Sequence, residues 1–85
     1  MTLKKMKYFI DVMQQESITK AAIKNNITQC AMSQQIKAIE KELGVLLLIR
    51  GRNQLIPTKE GILFYTLCKD CTETHNNYMI KIKNT

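Results

Sequence analysis

The chain has 85 residues, enough for one small domain and too few for two. At 45% hydrophobic and 24% charged residues it has the balance of a folded protein, and no apolar run exceeds Val45 to Ile49, which excludes a membrane span. Thirteen Lys and Arg against seven Asp and Glu leave a net charge of +6, which favours a polyanionic partner: nucleic acid or a membrane surface.

The first element is a helix over Leu3 to Gln15. Leu3, Met6, Phe9, Ile10 and Met13 recur at spacings of three and four and form its buried face, with Lys4, Lys7, Asp11 and Gln14 opposite. Asp11 interrupts the apolar stretch behind the basic start and no small-residue cleavage site follows, so no secretory signal is expected. Thr19 is read as the N-cap of a short second helix over Lys20 to Asn25, with Ile18 stapled to Ile23. The pair Ala21-Ala22 lets another helix come close, and Asn25-Asn26 turns the chain, with Ile27 as an apolar plug.

Thr28 caps the third helix, whose Met32, Ile36, Ile39 and Leu43 make a buried stripe; Gly44 stops it. Its other face carries Cys30, Ser33, Gln34, Lys37 and Lys41, a polar row without an acid. Two short extended runs, Leu46 to Arg50 and Leu55 to Pro57, flank the polar turn Gly51 to Gln54 and form a hairpin, with Pro57 limiting the second run. Thr58 caps a last helix from Lys59 to about Lys81. Phe64, Leu67, Cys68, Cys71, His75, Tyr78, Met79 and Ile82 share one side of it. At ~1.5 Å per residue that helix outruns a small body, so its apolar stripe calls for a second copy.

The fold expected is therefore mainly α: a winged helix-turn-helix of three helices and a two-stranded wing over residues 1–58, then a linker and dimerisation helix over residues 59–85. Such a layout presents short polar side chains of the third helix to base edges in a major groove, while basic side chains of the wing meet phosphates or a minor groove.

The residues that carry this layout also resemble a known family, the LysR-type transcriptional regulators. The resemblance lies in Tyr8-Phe9, Ser17-Ile18-Thr19-Lys20-Ala21-Ala22, Ile27-Thr28-Gln29, Ala31-Met32-Ser33, Gln35-Ile36 and Ile39-Glu40. It continues through Glu42-Leu43-Gly44-Val45, Arg50 and Thr58-Lys59-Glu60-Gly61, without a gap from Leu3 to about Tyr65. It implies an N-terminal DNA-binding domain with a dimerising linker helix. The two-lobed effector domain that follows in the family has no counterpart in these residues, so no small-molecule effector site is expected here. Four departures stand out: Cys30 replaces the usual Pro, Asn25 the usual Leu, Leu48 the usual Phe, and Asn53 or Gln54 the usual second basic residue of the wing. The changes at 25 and 48 are expected to thin the core, at ~1–3 kcal/mol unless compensated, and the change in the wing to weaken its contacts.

Gln29, Cys30, Ser33 and Gln34 are the candidate base readers: Gln can bond adenine through two contacts, Ser bonds any base edge, and a small Cys can touch a thymine methyl. Thr19, Thr28, Lys37, Arg50, Arg52 and Asn53 are the candidate backbone and wing contacts. Each also has an ordinary reading as a solvated surface residue. Phe64, Leu67, Cys68, Cys71, His75, Tyr78 and Met79 are the candidate dimer seam.

Cys68, Cys71 and His75 share a helix face, yet three ligands leave a metal site incomplete and a redox Cys pair prefers a helix start, so packing in the seam is favoured. With an odd count of three cysteines no disulfide framework closes, which points to a reducing cytoplasm. Glu40 and Glu42 point to different helix faces, and no phosphate loop or activated nucleophile appears. No enzyme chemistry, cofactor or metal is expected.

The function expected is sequence-specific binding of double-stranded DNA by a bacterial transcriptional regulator, as a homodimer. Two rivals remain. One is a short interaction module that heterodimerises with a full-length regulator and modulates it. The other is a membrane-surface element, disfavoured because Lys59, Lys69, Lys81 and Lys83 are offset by Glu60, Asp70 and Glu73 on the long helix.

Overall fold

The computed structural model describes all of Met1–Thr85. Four helices and one hairpin follow in order: α1 Leu3–Gln15, α2 Ile18–Lys24, α3 Gln29–Leu43, β1 Leu48–Gly51, β2 Gln54–Pro57 and α4 Lys59–Lys83. No helix is long and apolar enough to cross a membrane. The molecule measures 50 × 27 × 19 Å, the long dimension coming from α4.

Each helix starts on a hydroxyl cap. Thr2, Ser17, Thr28 and Thr58 accept from the backbone N–H of Lys5, Lys20, Ala31 and Gly61 respectively. Ser17 therefore caps α2, and Thr19 lies inside its first turn. With the helix starting two residues earlier than expected, Ile18 turns into the core while Ile23 is 70% exposed, so no staple joins them.

The core is one cluster that crosses residue 58. Phe9, Val12, Met32, Ile36, Ile39, Leu47 and Cys68 are fully enclosed, and the Phe9 and Phe64 rings meet edge to face at 5.0 Å. On α1 the buried line runs through Tyr8, Phe9 and Val12; Leu3, Met6, Ile10 and Met13 lie at its margins. The expected α1 stripe was thus rotated, because α1 packs against both α4 and the α2–α3 pair and its apolar arc is wider than one row.

On α3, Met32, Ile36 and Ile39 are buried as expected, but Leu43 is 41% exposed. It lies in the last turn before Gly44, whose φ of 73° sends the chain away.

Asp11, expected on the solvent face of α1, is instead a tie between α1 and α2. Its carboxylate accepts from Lys24 Nζ at 2.9 Å and from Asn25 Nδ2 at 2.9 Å, and the same Asn25 amide also donates to the Ala21 carbonyl at 2.8 Å. The apolar residue missing at 25 is thereby replaced by a satisfied polar joint, whereas Leu48, though buried, lines a small hollow with Val12, Met13 and Leu55.

The hairpin pairs antiparallel in the register Leu48↔Pro57, Ile49↔Ile56, Arg50↔Leu55 and Gly51↔Gln54. Only Arg52 and Asn53 form the turn, narrower than the expected four residues, and Asn53 takes the left-handed conformation at φ 57°. The first strand begins at Leu48 because Leu46 and Leu47 are used otherwise. The Thr58 hydroxyl donates to the Leu46 carbonyl at 2.7 Å and the Thr58 N–H to the Leu47 carbonyl at 2.9 Å. Gly61 sits directly beneath that same Leu47 carbonyl, where a Cβ would fall 2.1 Å from its oxygen.

Candidate nucleic-acid interface

The polar face of α3 is held outward by the three core anchors on its other side. Gln29, Cys30, Gln34, Lys37 and Lys41 are exposed and Ser33 is half-buried. At the front of the helix the Thr28 hydroxyl is occupied as a cap, but the first-turn N–H groups have no carbonyl behind them and form a concentration of positive dipole. Thr19 is exposed in the first turn of α2. Between the helices, the Ile27 N–H donates to the Ala22 carbonyl at 3.0 Å, and Asn26 takes a left-handed φ of 56°, so the turn that sets the angle of α3 is itself hydrogen-bonded.

The wing approaches this face from the side. The Arg50 guanidinium donates to the Ser33 hydroxyl, joining a wing residue and a candidate base reader. Ser33 retains its own hydroxyl proton to donate, and Arg50 retains further N–H donors, so the pair offers a donor-rich ridge and not two isolated contacts. Arg52 and Asn53 are exposed at the hairpin tip. The structure therefore brings Gln29, Cys30, Ser33, Gln34, Lys37 and Arg50 to one surface, with Arg52 and Asn53 at its flank. Glu16 lies beside Asn53 and Gln54 at the far side of the wing, placing an acid near the tip that the sequence row did not include.

Two functional residues escaped sequence reasoning. The sequence reading assigned Glu40 no contact, placing it only on a helix face different from that of Glu42. Its Oε2 accepts from the Leu47 N–H at 2.7 Å and the Leu48 N–H at 3.3 Å, tying the recognition helix to the strand that carries Arg50. Nothing local signals such a tie, because the partners are backbone groups seven and eight residues on. Gly61 is the other; a glycine inside a helix pattern is the only hint that another backbone lies against it.

The long helix divides its expected seam in two. Phe64 and Cys68 are 5% and 0% exposed inside their own chain, packed against α1, so they are not available to a second copy. Thr72 continues that inward line and its hydroxyl donates to the Cys68 carbonyl at 2.9 Å. Burial, and then the adjacent Cys71 thiol, push the Cys68 thiol up to about 12. Leu67, His75, Tyr78 and Met79 are exposed and Cys71 is half-buried. With Leu63 and Ile82 they make the free side of α4. Leu43, Val45, Leu47, Leu63 and Leu67 line an open apolar groove between the end of α3 and the start of α4.

Residues 3–62 match the family described as bacterial regulatory helix-turn-helix protein, lysR family. The chain belongs to the LysR family. It is 45% identical over 65 residues to the HTH-type transcriptional regulator BenM of Acinetobacter baylyi, which covers 76% of this chain and 21% of BenM. It is 33% identical over 84 residues to the HTH-type transcriptional regulator BsdA of Bacillus subtilis, covering 98% of this chain and 29% of BsdA. The chain thus spans between 21% and 29% of the length of these two LysR relatives. Among solved structures, the BenM_DBD complex with benA site 1 DNA superposes with a TM-score of 0.94 at 36% identity, over 99% of this chain and 94% of that one. The CbnR_DBD–DNA complex gives 0.93 at 26% identity, over 99% and 97%. The winged helix-turn-helix with a long final helix is therefore the LysR fold.

Proposed function

We propose that this chain is the sequence-specific, double-stranded DNA-binding unit of a LysR-type transcriptional regulator, working in the cytoplasm as a homodimer and without enzyme chemistry. One observation carries the proposal: the exposed, acid-free face of α3 is braced to the wing through Arg50 and Ser33, on a fold that follows DNA-bound LysR domains along nearly its whole length.

In this reading Gln29, Cys30, Ser33 and Gln34 enter a major groove, the first-turn amides of α3 with Thr28, Thr19 and Lys37 meet phosphates, and Arg50, Arg52 and Asn53 hold the neighbouring backbone or minor groove. The net charge of +6 adds affinity that does not depend on sequence, through release of counterions. The free side of α4, with Leu67, Cys71, His75, Tyr78 and Met79, meets the same side of a second copy, so that two α3 helices reach two half-sites of an inverted repeat.

The test is an electrophoretic or fluorescence titration on a selected site and on scrambled duplex, at several salt concentrations. Gln29→Ala should lower affinity for the selected site by about 10-fold or more, at ~1–3 kcal/mol for a lost two-point base contact, and leave scrambled duplex nearly unchanged. Equal loss on both duplexes would contradict base reading by Gln29.

A further inference from the structure

The sequence places Cys68, Cys71 and His75 on one helix face, but the fold separates them. Cys68 is fully enclosed against α1, whereas Cys71 and His75 remain on the accessible side and line a shallow hollow with Asp70 and Thr74. A Cys and a His four residues apart on a helix lie one above the other, the spacing at which a helix supplies two ligands to one metal. One chain offers no more than that, since no group of three His, Cys, Asp or Glu converges anywhere in it. A tetrahedral site needs two further ligands.

The free stripe of α4 says where they come from. It runs Leu63, Leu67, Cys71, Thr74, Tyr78 and Ile82, at spacings of three and four. Its first half opens onto the apolar groove with Leu43, Val45 and Leu47, which Glu60 and Asp70 border. Its second half carries Tyr78 and Ile82, 59% and 64% exposed, with Lys81 and Lys83 beside them. Acids border the first half and lysines the second, so charge favours an antiparallel pair in which each copy lays its Tyr78–Ile82 end toward the other's groove. The body of each copy, packed on the first half of α4, then sits at opposite ends of the pair instead of colliding. A pairing centred on residue 73 would set each Cys71 against the second copy's His75.

We propose that Cys71 and His75 of two copies together hold one borderline-soft divalent metal of the zinc class at the axis of the α4 pair. The inference rests on the homodimer reading above. Two thiolates and two imidazoles are the donor set of tetrahedral zinc, and binding releases two thiol protons to solvent. The same register argues against a disulfide. The two Cys71 residues are offset by four residues, about 6 Å along helices whose axes lie about 8–10 Å apart, beyond the reach of an S–S bridge.

The experiment uses the 85-residue chain, reduced with a phosphine and stripped with EDTA, followed by sedimentation across a concentration series with and without zinc chloride. Zinc should tighten dimerisation at least about 10-fold with one metal per two chains, and cobalt chloride should give the visible bands of thiolate-bound tetrahedral Co²⁺. Cys71→Ser or His75→Ala should each remove the zinc-dependent gain over that variant's own metal-free dimerisation, while Cys30→Ser should keep that gain. Dimers that ignore zinc, a stoichiometry of one metal per chain, or a zinc response that survives Cys71→Ser would overturn the metal site and leave the homodimer standing. A chain that stays monomeric with and without zinc would overturn both readings.

Discussion

Replacing Gly61 by alanine tests how the recognition unit is joined to its long helix. In an ordinary helix interior the change would help, since alanine is favoured over glycine by about 1 kcal/mol. Here the new Cβ would stand 2.1 Å from the Leu47 oxygen and 3.0 Å from its carbonyl carbon, both backbone atoms that cannot rotate aside. Relief requires the start of α4 to move away from the Leu46–Leu48 segment by about 1 Å, an overpacking change worth about 1–3 kcal/mol. The same movement stretches the bonds from the Thr58 N–H to Leu47 and from the Thr58 hydroxyl to Leu46, each contributing about 0.5–1.5 kcal/mol. Net destabilisation should be about 2–3 kcal/mol after the helix gain. For a domain of this size that lowers Tm by about 10–20 °C. Thermal and urea melts at fixed chain concentration check it. Gly51→Ala is the control, because the nearest atom to its Cβ is 3.8 Å away and its backbone is unstrained. An alanine variant at 61 as stable as the parent would refute the close-approach argument outright.

Three further outcomes follow from the same geometry. Asp11→Ala should lower stability by about 1–2 kcal/mol in urea melts, mostly through the half-buried Asn25 amide, because Lys24 is half exposed and its ion pair contributes little. Arg52→Ala should weaken binding to selected and scrambled duplex alike and reduce the slope of log affinity against log salt by about 1, whereas an unchanged slope would remove Arg52 from the phosphate contacts. The Cys68 thiol ionises at about 12 in the fold against 9.0 for an ordinary thiol, so the unfolded chain loses that proton first as pH rises. Its contribution to stability is complete below pH 9 and is lost between pH 9 and about 12. Cys68→Ala should flatten the stability profile across that window relative to the parent, and parallel profiles would show that Cys68 is not the titrating group.

Helix periods and cap residues made most of the architecture readable from the chain alone. α1 and α3 begin where expected, and the exposed row from Gln29 to Lys41 faces outward because Met32, Ile36 and Ile39 turn in. The cap of α2 was misplaced because Ser17 and Thr19 are both good caps two residues apart, and only the burial of Ile18 decides between them. Leu43 and the α4 seam were misread for a common reason: periodicity shows that a face is apolar but not which neighbour covers it. Phe64 and Cys68 meet α1, while Leu67 and Tyr78 stay 49% and 59% exposed. The ties through Asp11, Glu40 and Arg50 were illegible because each joins groups far apart in sequence, where neither propensity nor spacing carries a signal.

The seating of Gly61 under the Leu47 carbonyl leaves α4 no freedom to swivel independently of the wing. From that fulcrum to Lys83 the helix reaches about 33 Å at ~1.5 Å per residue. A tilt of about 10° at its root therefore carries the far end about 6 Å, close to two base-pair steps of B-form DNA at about 3.4 Å each. In a pair of chains clasped along this arm, any force that alters the crossing angle is converted into a different separation of the two α3 helices, without either small body having to deform.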